Sequence, residues 1–275
     1  MAQNDFFKVS YSKISCYQQC RKQYWFKYVS GQEWPAQVDS PASLIGSGVH
    51  RAMRVLSESG DVDAARHELD AYTRMPIHEM IAAPSEHYDT AFRLLEAGVA
   101  AHDSIRSENR WAELSSYTPW PARGITVTTI IDRADRISPT EYQIIDWKTG
   151  RWDFGEAIDL QLDIAHIVLR KARQLPREAE VTTIGWNLRS GERRVRPLKR
   201  DDAVATLKYL AALADAMQAT TEYEATPSGA CTFCDWRNQC PEAATVIEDA
   251  DVLLESELGV EGRVSEPVGN VARLV

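Results

Sequence analysis

The spacing of apolar side chains along the first third of the chain predicts helices. Apolar and aromatic residues recur at helical spacing from Ser10 or Ser12, either of which is a plausible N-cap, to about residue 29, so we expect one first helix. In that helix Cys20 lies about one turn after Tyr17. Three further helical patterns cover residues 44–56, 61–72 and 85–105. The N-terminal part is therefore expected to be mainly helical.

The pattern then changes to one that is typical of strands. β-branched and aromatic residues, bounded by Pro and Gly, predict strands at 111–117, 125–137 and 141–147. A helix at 159–174, a hairpin of strands 181–188 and 193–198 around Ser190 and Gly191, and an Ala-rich helix at 201–217 follow. This order of helices, antiparallel strands, a helix, a hairpin and a helix predicts an α/β sheet core behind a helical N-terminal lobe.

The charge balance argues against a protein that coats nucleic acid or an anionic membrane. The 275 residues include 40 acidic and 31 basic side chains, for a net charge of −9. Over half of this charge lies in residues 245–275, which we expect to be disordered or to form a short helix at 252–258. Neither a membrane-spanning run of about 18 apolar residues nor the apolar core of a signal peptide is seen, so we expect a cytoplasmic protein.

Five cysteines need an explanation, because a reducing compartment disfavours disulfides. Three cysteines, Cys231, Cys234 and Cys240, lie in one polar stretch of ten residues. The other two, Cys16 and Cys20, lie more than 200 residues upstream. A Cys-x-x-Cys turn followed by a third thiolate suits zinc or an iron–sulfur cluster, and both usually take four ligands. The fourth would come from the N-terminal pair or from a histidine. Unrelated buried thiols or a redox Cys-x-x-Cys are the alternatives, but the redox motif leaves Cys240 unexplained.

Acidic and basic side chains interrupt the predicted strands at one end. Asp146 and Lys148 are two residues apart in IIDWKTG, so an extended strand projects both to the same face. If the preceding strand runs alongside, Asp132 converges on them, and His50 in GSGVH is a candidate additional ligand. Two carboxylates and an ammonium suit Mg²⁺ or Mn²⁺ and the hydrolysis of a phosphodiester. The alternative is an Asp–Lys pair on an exposed strand edge.

Six motifs in order carry a resemblance to a known family. They are SYSKISCYQQCRKQYWFKY, GSGVHRAM, IIDRADRI, IIDWKTG, DLQLDIA and CTFCDWRNQC, and they extend from Ser10 to Cys240. The chain resembles the RecB-like exonucleases of the PD-(D/E)XK superfamily, in particular the iron–sulfur nucleases related to AddB and to the CRISPR-adaptation exonucleases, of which stand-alone phage versions exist. The resemblance implies a restriction-endonuclease-like α/β core, in which a mixed central sheet is flanked by helices.

The resemblance also implies roles for individual residues. Mg²⁺ or Mn²⁺ would be bound by His50, Asp132, Asp146 and the backbone carbonyl of Trp147. Lys148 would be the catalytic lysine, and Gln161 would contact the metal-site water or DNA. A [4Fe–4S] cluster would be bound by Cys20, Cys231, Cys234 and Cys240. Cys16 is the alternative to Cys20 as the first ligand. The chain departs from the family where a Tyr often stands four residues after the glutamine, because it has Ala165 followed by His166.

These motifs divide the chain into four expected parts. Residues 1–110 form a helical N-terminal lobe that contributes the first cluster ligand and the metal-binding histidine. Residues 111–220 form the PD-(D/E)XK nuclease core, 221–244 the iron–sulfur segment and 245–275 the acidic tail. The cluster would tie the two ends of the chain together.

Local positive charge provides candidate DNA-binding residues despite the negative total. We expect contacts to single-stranded or end-containing DNA from the predicted hairpin and from the aromatic first helix, namely Arg189, Arg193, Arg194, Arg196 and Tyr24. A solvated hairpin and core-facing aromatics are the alternative for both patches. The function expected is a metal-dependent DNA exonuclease in recombination, repair or CRISPR-type processing. A DNA-binding subunit that needs a helicase, recombinase or integrase partner for cleavage is the second hypothesis, and a zinc-stapled structural domain is the third.

Overall fold

A computed structural model describes residues 6–35, 39–151 and 157–246. The described chain forms two compact units. Unit 1 takes its residues from 1–15 and 38–221, and unit 2 takes its residues from 16–37 and 222–275. The expected boundary at residue 110 falls within the residues of unit 1, and the division into four parts stays a prediction. The expected helix at 252–258 lies outside the described residues.

Unit 1 is built on a six-stranded mixed sheet. Five strands are hydrogen-bonded neighbours in the order β1-β3-β4-β5-β6. The sixth strand, β2, pairs with β3. β1 and β3, and likewise β4 and β5, are parallel, whereas the other pairs are antiparallel. The strands are β1 (Phe7–Val9), β2 (Asn109–Trp120), β3 (Ile125–Arg136), β4 (Glu141–Lys148), β5 (Glu180–Asn187) and β6 (Arg193–Leu198). The sequence reading missed β1, because three residues are too few to show a period of two.

The predicted helices of unit 1 are confirmed with small changes at their ends. They are α3 (Pro41–Ser59), α4 (Val62–Thr73), α5 (Glu86–Asp103), α6 (Ala157–Ala172) and α7 (Arg200–Ala219). Ser40, Asp61 and Ser85 each accept a backbone N–H at the start of a helix, which satisfies donors that the helix leaves without a partner. Helix α6 connects the parallel strands β4 and β5, as a crossover must.

A single helix over 10–29 was predicted, but the structure has two: α1 (Tyr11–Gln19) and α2 (Arg21–Tyr28). The break is at Cys20, which is extended (φ −158°, ψ 113°). Its Sγ accepts the N–H of Gln23 at 3.5 Å and so acts as the N-cap of α2. Apolar periodicity does not detect such a break, because the apolar positions continue through it. The single-helix prediction is therefore wrong.

Helices α3, α4 and α5 pack on one face of the sheet. Their buried apolar side chains meet Ile145 and Trp147 of β4, and Leu188 just after β5. Side chains alternate along a strand, so Asp146 between these two buried residues points to the opposite face, which is the face of α6. The core of unit 1 therefore holds β4 in the register that sets the direction of its polar residues. None of the described helices is both long and apolar enough to span a bilayer.

Unit 2 has its own aromatic packing. Phe26 stacks on Trp236 with ring centroids 5.0 Å apart, and Trp236 is 1% exposed. The N–H of Lys22 donates to the carbonyl of Glu224 at 3.1 Å, which joins the two stretches of chain that form this unit. Two short 3₁₀ helices, Gly229–Phe233 and Arg237–Gln239, carry the C-terminal cysteines, and residues 241–246 are helical.

Candidate functional site

The register of β3 and β4 brings two of the predicted site residues together. The antiparallel ladder pairs Arg133 with Ile145, so Asp132 and Asp146 are the next opposed positions and share a face of the sheet. The N–H of Trp147 donates to Oδ2 of Asp132 at 2.9 Å. Two carboxylates are thus positioned side by side where the two strands end their pairing.

Lys148 and Gln161 complete this group. Nζ of Lys148 lies 2.7 Å from Oδ2 of Asp146 and donates to Oε1 of Gln161 at 3.1 Å. The amide of Gln161 in turn donates to Oδ1 of Asp146 at 2.6 Å. Gln161 lies in the second turn of α6, the helix that connects β4 to β5. The helix therefore fixes the position of both charged groups of the strand.

Asp146 is in an environment that disfavours its negative charge. It is 7% exposed, and its buried Oδ2 lies 2.7 Å from Nζ of Lys148. Burial, and then the charge of Asp132, raise the pKa of Asp146 to about 6, although Lys148 and His50 act in the opposite direction. A buried carboxylate beside a second carboxylate is a site that a cation stabilises.

His50 approaches the same group from helix α3. Its Nδ1 lies 3.4 Å from Oδ2 of Asp132. Burial lowers the pKa of His50, but the hydrogen bond and the charge of Asp132 outweigh burial, so the pKa is raised overall. Within residues 6–35, 39–151 and 157–246, no three His, Cys, Asp or Glu side chains are arranged as a group that holds a metal ion. The metal-binding roles of His50, Asp132, Asp146 and the Trp147 carbonyl remain predictions.

Glu113 is a neighbouring acid that the sequence did not indicate. The β2–β3 ladder pairs Ala112 with Arg133 and Leu114 with Ile131, so Glu113 lies opposite Asp132. Its φ is 38°, in a region that L-residues rarely adopt, and strain of this kind is concentrated at functional sites. Its carboxylate lies 3.4 Å from the guanidinium of Arg54, one turn after His50 on α3. Glu113, Asp132 and Asp146 therefore stand in a row across three strands.

The sequence departs from the family pattern at Ala165 and His166 on helix α6. His166 is fully buried, and neither ring nitrogen has a hydrogen-bond partner among the described residues. Burial lowers its pKa to about 4, so the ring is neutral at physiological pH. His166 is therefore a core residue of helix α6. Unlike Gln161, it makes no hydrogen bond to Asp146 or Lys148.

Four cysteines of unit 2 line one cavity of about 250 Å³. They are Cys20, Cys231, Cys234 and Cys240. Backbone N–H groups of Gln23 and Thr226 donate to Sγ of Cys20, each at 3.5 Å, and that of Ser228 donates to Sγ of Cys231 at the same distance. Cys16 is buried and is not part of this lining, and burial raises the pKa of its thiol to about 11.

The residues predicted to bind DNA are mostly engaged within the protein. Arg194 donates to both oxygens of Asp159 on α6 at 2.6 Å, and Arg196 lies 3.1 Å from Asp163 of the same helix. Arg193 packs over the ring of Trp186, and Arg189 donates to the carbonyl of Thr149 at 3.3 Å. The two carboxylate pairs, those of Arg194 and Arg196, reduce the positive charge that the hairpin offers to a phosphate.

Tyr24 does not have the exposure that base stacking requires. It is 2% exposed, and its ring contacts those of Tyr17 and Tyr223 at centroid distances of 5.2 and 6.2 Å. Burial raises the pKa of its hydroxyl to about 12. The prediction of Tyr24 as a DNA-binding residue is corrected accordingly, because aromatic packing within unit 2 covers the ring.

Comparisons with known proteins agree with the arrangement of these elements. Residues 8–241 match the PD-(D/E)XK nuclease superfamily. A search of curated proteins finds no sequence match. The fold matches that of a protein named "Putative exonuclease" from Eubacterium rectale with a TM-score of 0.52 and 11% identity, over 86% of this chain and 89% of that chain. A protein named SSO0001 gives a TM-score of 0.36 and 16% identity, over 71% and 84% of the two chains.

The family match covers most of the chain and includes the motifs that carry His50, Asp132, Asp146, Lys148 and Gln161, which together form the strand site. It confirms the expected mixed α/β fold with a PD-(D/E)XK-like core, and a nuclease acts on nucleic acid. Nucleases of this superfamily typically use a divalent metal ion. With its two carboxylates, lysine and glutamine assembled around the end of β4, the chain belongs to the PD-(D/E)XK nuclease superfamily.

Proposed function

We propose that the protein is a divalent-metal-dependent DNA exonuclease that hydrolyses phosphodiester bonds in single-stranded DNA or at DNA ends, in recombination, repair or CRISPR-type processing. The observation that supports it is the contact of Gln161 with both Asp146 and Lys148, at 2.6 and 3.1 Å, beside the opposed Asp132. Acid, base and amide are held in one place by two different elements. These contacts with Gln161 argue against the alternative, an isolated Asp–Lys pair on an exposed strand edge.

The donor set fits Mg²⁺ or Mn²⁺. Both ions prefer carboxylate oxygens, and the opposed Asp132 and Asp146 supply them side by side, with Oδ2 of Asp146 buried against Lys148. Asp132 and Asp146 would hold the ion, with His50 and the Trp147 carbonyl as further ligands. The bound ion would supply Lewis acidity that stabilises negative charge on the phosphate during hydrolysis.

The chain's own residues position the reacting groups. Hydrolysis joins a water oxygen to phosphorus and breaks the bond to the departing nucleotide's oxygen, which takes up a proton. Lys148, held between Asp146 and Gln161, donates a hydrogen bond to the attacking water or to a phosphate oxygen. The N–H of Trp147 keeps Asp132 in its orientation. Each group is thus pre-oriented before the substrate binds.

A test of this function compares linear with circular single-stranded DNA. We expect the purified protein to shorten linear strands labelled at one end when Mg²⁺ or Mn²⁺ is present, to leave circles intact, and to stop when EDTA is added. Circles have no ends, so their survival separates an exonuclease from an endonuclease. Binding of DNA without cleavage, with every divalent ion tried, would favour the second hypothesis of a subunit that needs a helicase, recombinase or integrase partner.

We also propose that Cys20, Cys231, Cys234 and Cys240 hold a [4Fe–4S] cluster in unit 2. The four residues border one cavity, although among the described residues their side chains are not arranged as a group that holds a metal ion. Backbone N–H groups that donate to Cys20 and Cys231 stabilise charge on cluster-bound sulfur. Because the four cysteines come from both stretches of unit 2, the cluster would act as a structural link within that unit.

Cys20→Ser and Cys16→Ser distinguish the two candidates for the first ligand. After anaerobic purification, we expect Cys20→Ser to lose most of its iron and acid-labile sulfide and to unfold at a lower temperature. Cys16→Ser should retain the brown colour and the iron of the parent protein, since Cys16 does not line the cavity. The reverse result would make Cys16 the ligand. Stoichiometric zinc without iron in the parent protein would replace the cluster by a zinc site.

A further inference from the structure

One face of the β2–β3 ribbon leads directly away from the strand site. The ladder pairs Ser115 with Ile130 and Tyr117 with Thr128. With a side-chain period of two, these residues share the face of Asp132, and the four residue steps from Asp132 to Thr128 span about 13 Å. The face is therefore continuous with the site and long enough to contact more than the scissile phosphate.

A cleft of about 740 Å³ follows this face. At one end it is bordered by His50, Asp132 and Gln161, which are residues of the strand site. Along the rest of its length its lining is rich in hydroxyl groups, and includes Ser10, Ser12, Ser115, Ser116, Thr128 and Thr129. Ser and Thr hydroxyls are common partners of phosphate oxygens in nucleic-acid complexes. The cleft thus joins the site to a surface that suits a sugar–phosphate chain.

Two large apolar side chains on this face are exposed to solvent. Tyr117 is 59% exposed and Ile130 is 61% exposed, although each belongs to a strand of the central sheet. A ring or an aliphatic side chain in this position offers a surface on which a base can stack. Bases in a duplex are stacked on one another, so only an unpaired strand can make such a contact along the ribbon.

Positive charge lies at the far end of the cleft. Lys8 is paired with Thr126 in the β1–β3 ladder, and its Nζ lies 5.4 Å from the centre of the Tyr117 ring. Nζ of Lys13 donates to the carbonyl of Lys8 at 3.1 Å. Burial, and then the charge of Lys8, lower the pKa of Lys13. The repulsion between the charges of Lys8 and Lys13 is one that a bound anion would relieve.

We propose that this face of the β2–β3 ribbon is the path along which an unpaired polynucleotide reaches the strand site. Tyr117 and Ile130 contact its bases, and Lys8, Lys13 and the hydroxyl groups contact its phosphates. The proposal rests on the proposed nuclease function and adds to it the form of the substrate and the residues that bind it. It also moves the main binding surface from the β5–β6 hairpin, whose arginines pair with helix α6, to the ribbon.

Fluorescence anisotropy of labelled DNA tests the path in the full-length protein. With EDTA present to prevent cleavage, Tyr117→Ala and Ile130→Thr should each weaken binding of an oligothymidylate of about 20 nucleotides by about tenfold, and Tyr117→Phe should restore it. Matched controls are Tyr209→Ala on α7 and Val195→Thr on β6, which replace side chains that are 46% and 51% exposed elsewhere. The controls should bind as the parent protein does.

The substrate form and the dependence on the site are tested separately. Binding of a blunt duplex of similar length should be weaker and insensitive to Tyr117→Ala, and in cleavage assays this variant should raise KM with little change in kcat. Unchanged oligothymidylate binding by both ribbon variants, or an equal loss with the duplex, would overturn the proposal. Because binding is measured without a divalent ion, a parent protein that binds through the ribbon but never cleaves would contradict the proposed function alone.

Discussion

Replacing Asp146 with Asn should reduce DNA cleavage by about 10³-fold or more. Asn keeps the shape of the side chain but removes the charge that binds a divalent ion, and its amide nitrogen is not a ligand for Mg²⁺. Lys148→Met should have an effect of similar size, because it removes the ammonium between Asp146 and Gln161. The measurement is the initial rate of release of label from single-stranded DNA in Mg²⁺ or Mn²⁺.

The control for this result is Asp163→Asn, on the same helix as Gln161. Asp163 is also partly buried and pairs with Arg196, but it does not contact Asp146 or Lys148 through any described bond. It should retain cleavage within a few-fold of the parent. Full activity of Asp146→Asn would remove Asp146 from the catalytic group.

Asp146→Asn should lower activity but raise the stability of the metal-free protein. Burial raises the pKa of Asp146 to about 6, so the ionised carboxylate lowers the free energy of unfolding in the absence of metal. This penalty is absent below about pH 4, grows as the pH rises to about 6, and is constant above that. Asp146→Asn should therefore stabilise the metal-free protein at pH 7 to 8 by on the order of 2 kcal/mol and have little effect at about pH 4. Loss of activity with gain of stability excludes unfolding as the cause.

The strand site could be predicted because its signal is local. Asp146 and Lys148 are separated by one residue in an apolar strand, and the period of two places them on one face without further knowledge. Asp132 needed one additional assumption, that the preceding strand runs alongside, and the β3–β4 ladder meets it. Glu113 could not be found in this way, since neither its opposition to Asp132 nor its positive φ has a sequence signal.

The surface residues were harder to assign, because their partners lie far away in the sequence. The ring of Tyr24 is covered partly by Tyr223, and Arg194 is neutralised by Asp159 of another element. A cluster of basic residues in the sequence therefore indicates local charge but not whether that charge is paired. The exposure of Tyr117 and Ile130 could not be predicted either. Their positions in the strand pattern are the same as those of residues whose side chains are buried in a sheet.

Asp135→Asn should be the most destabilising single replacement near the site. Asp135 and Arg133 are both fully buried on β3, and Arg133 donates to the two carboxylate oxygens at 2.7 and 3.0 Å. Arg110 of β2 and Gln143 of β4 also donate to Asp135, at 3.3 and 3.2 Å. Removing this charge leaves a buried guanidinium without its counter-ion, which costs about 3–5 kcal/mol.

Urea unfolding of the full-length protein, followed by tryptophan fluorescence, measures this cost, with Asp159→Asn as the control. Asp159 also makes a bidentate pair with an arginine, but its side chain is 23% exposed, so water replaces part of the lost interaction and the cost should be about 1 kcal/mol or less. The double variant Arg133→Met, Asp135→Leu should recover much of the loss, because no charge remains buried. A cost for Asp135→Asn no larger than that of the control would show that Arg133 finds another partner.

The effect of Asp135→Asn on catalysis separates the two roles of strand β3. Asp135 points to the face of α3 and α5, whereas Asp132 points to the face of Gln161 and Asp146. Folded molecules of Asp135→Asn should therefore cleave DNA at nearly the parent rate at low temperature, and lose activity only as the unfolded fraction increases on warming. A fall in kcat at temperatures where the variant is fully folded would mean that the buried ion pair also sets the geometry of Asp132.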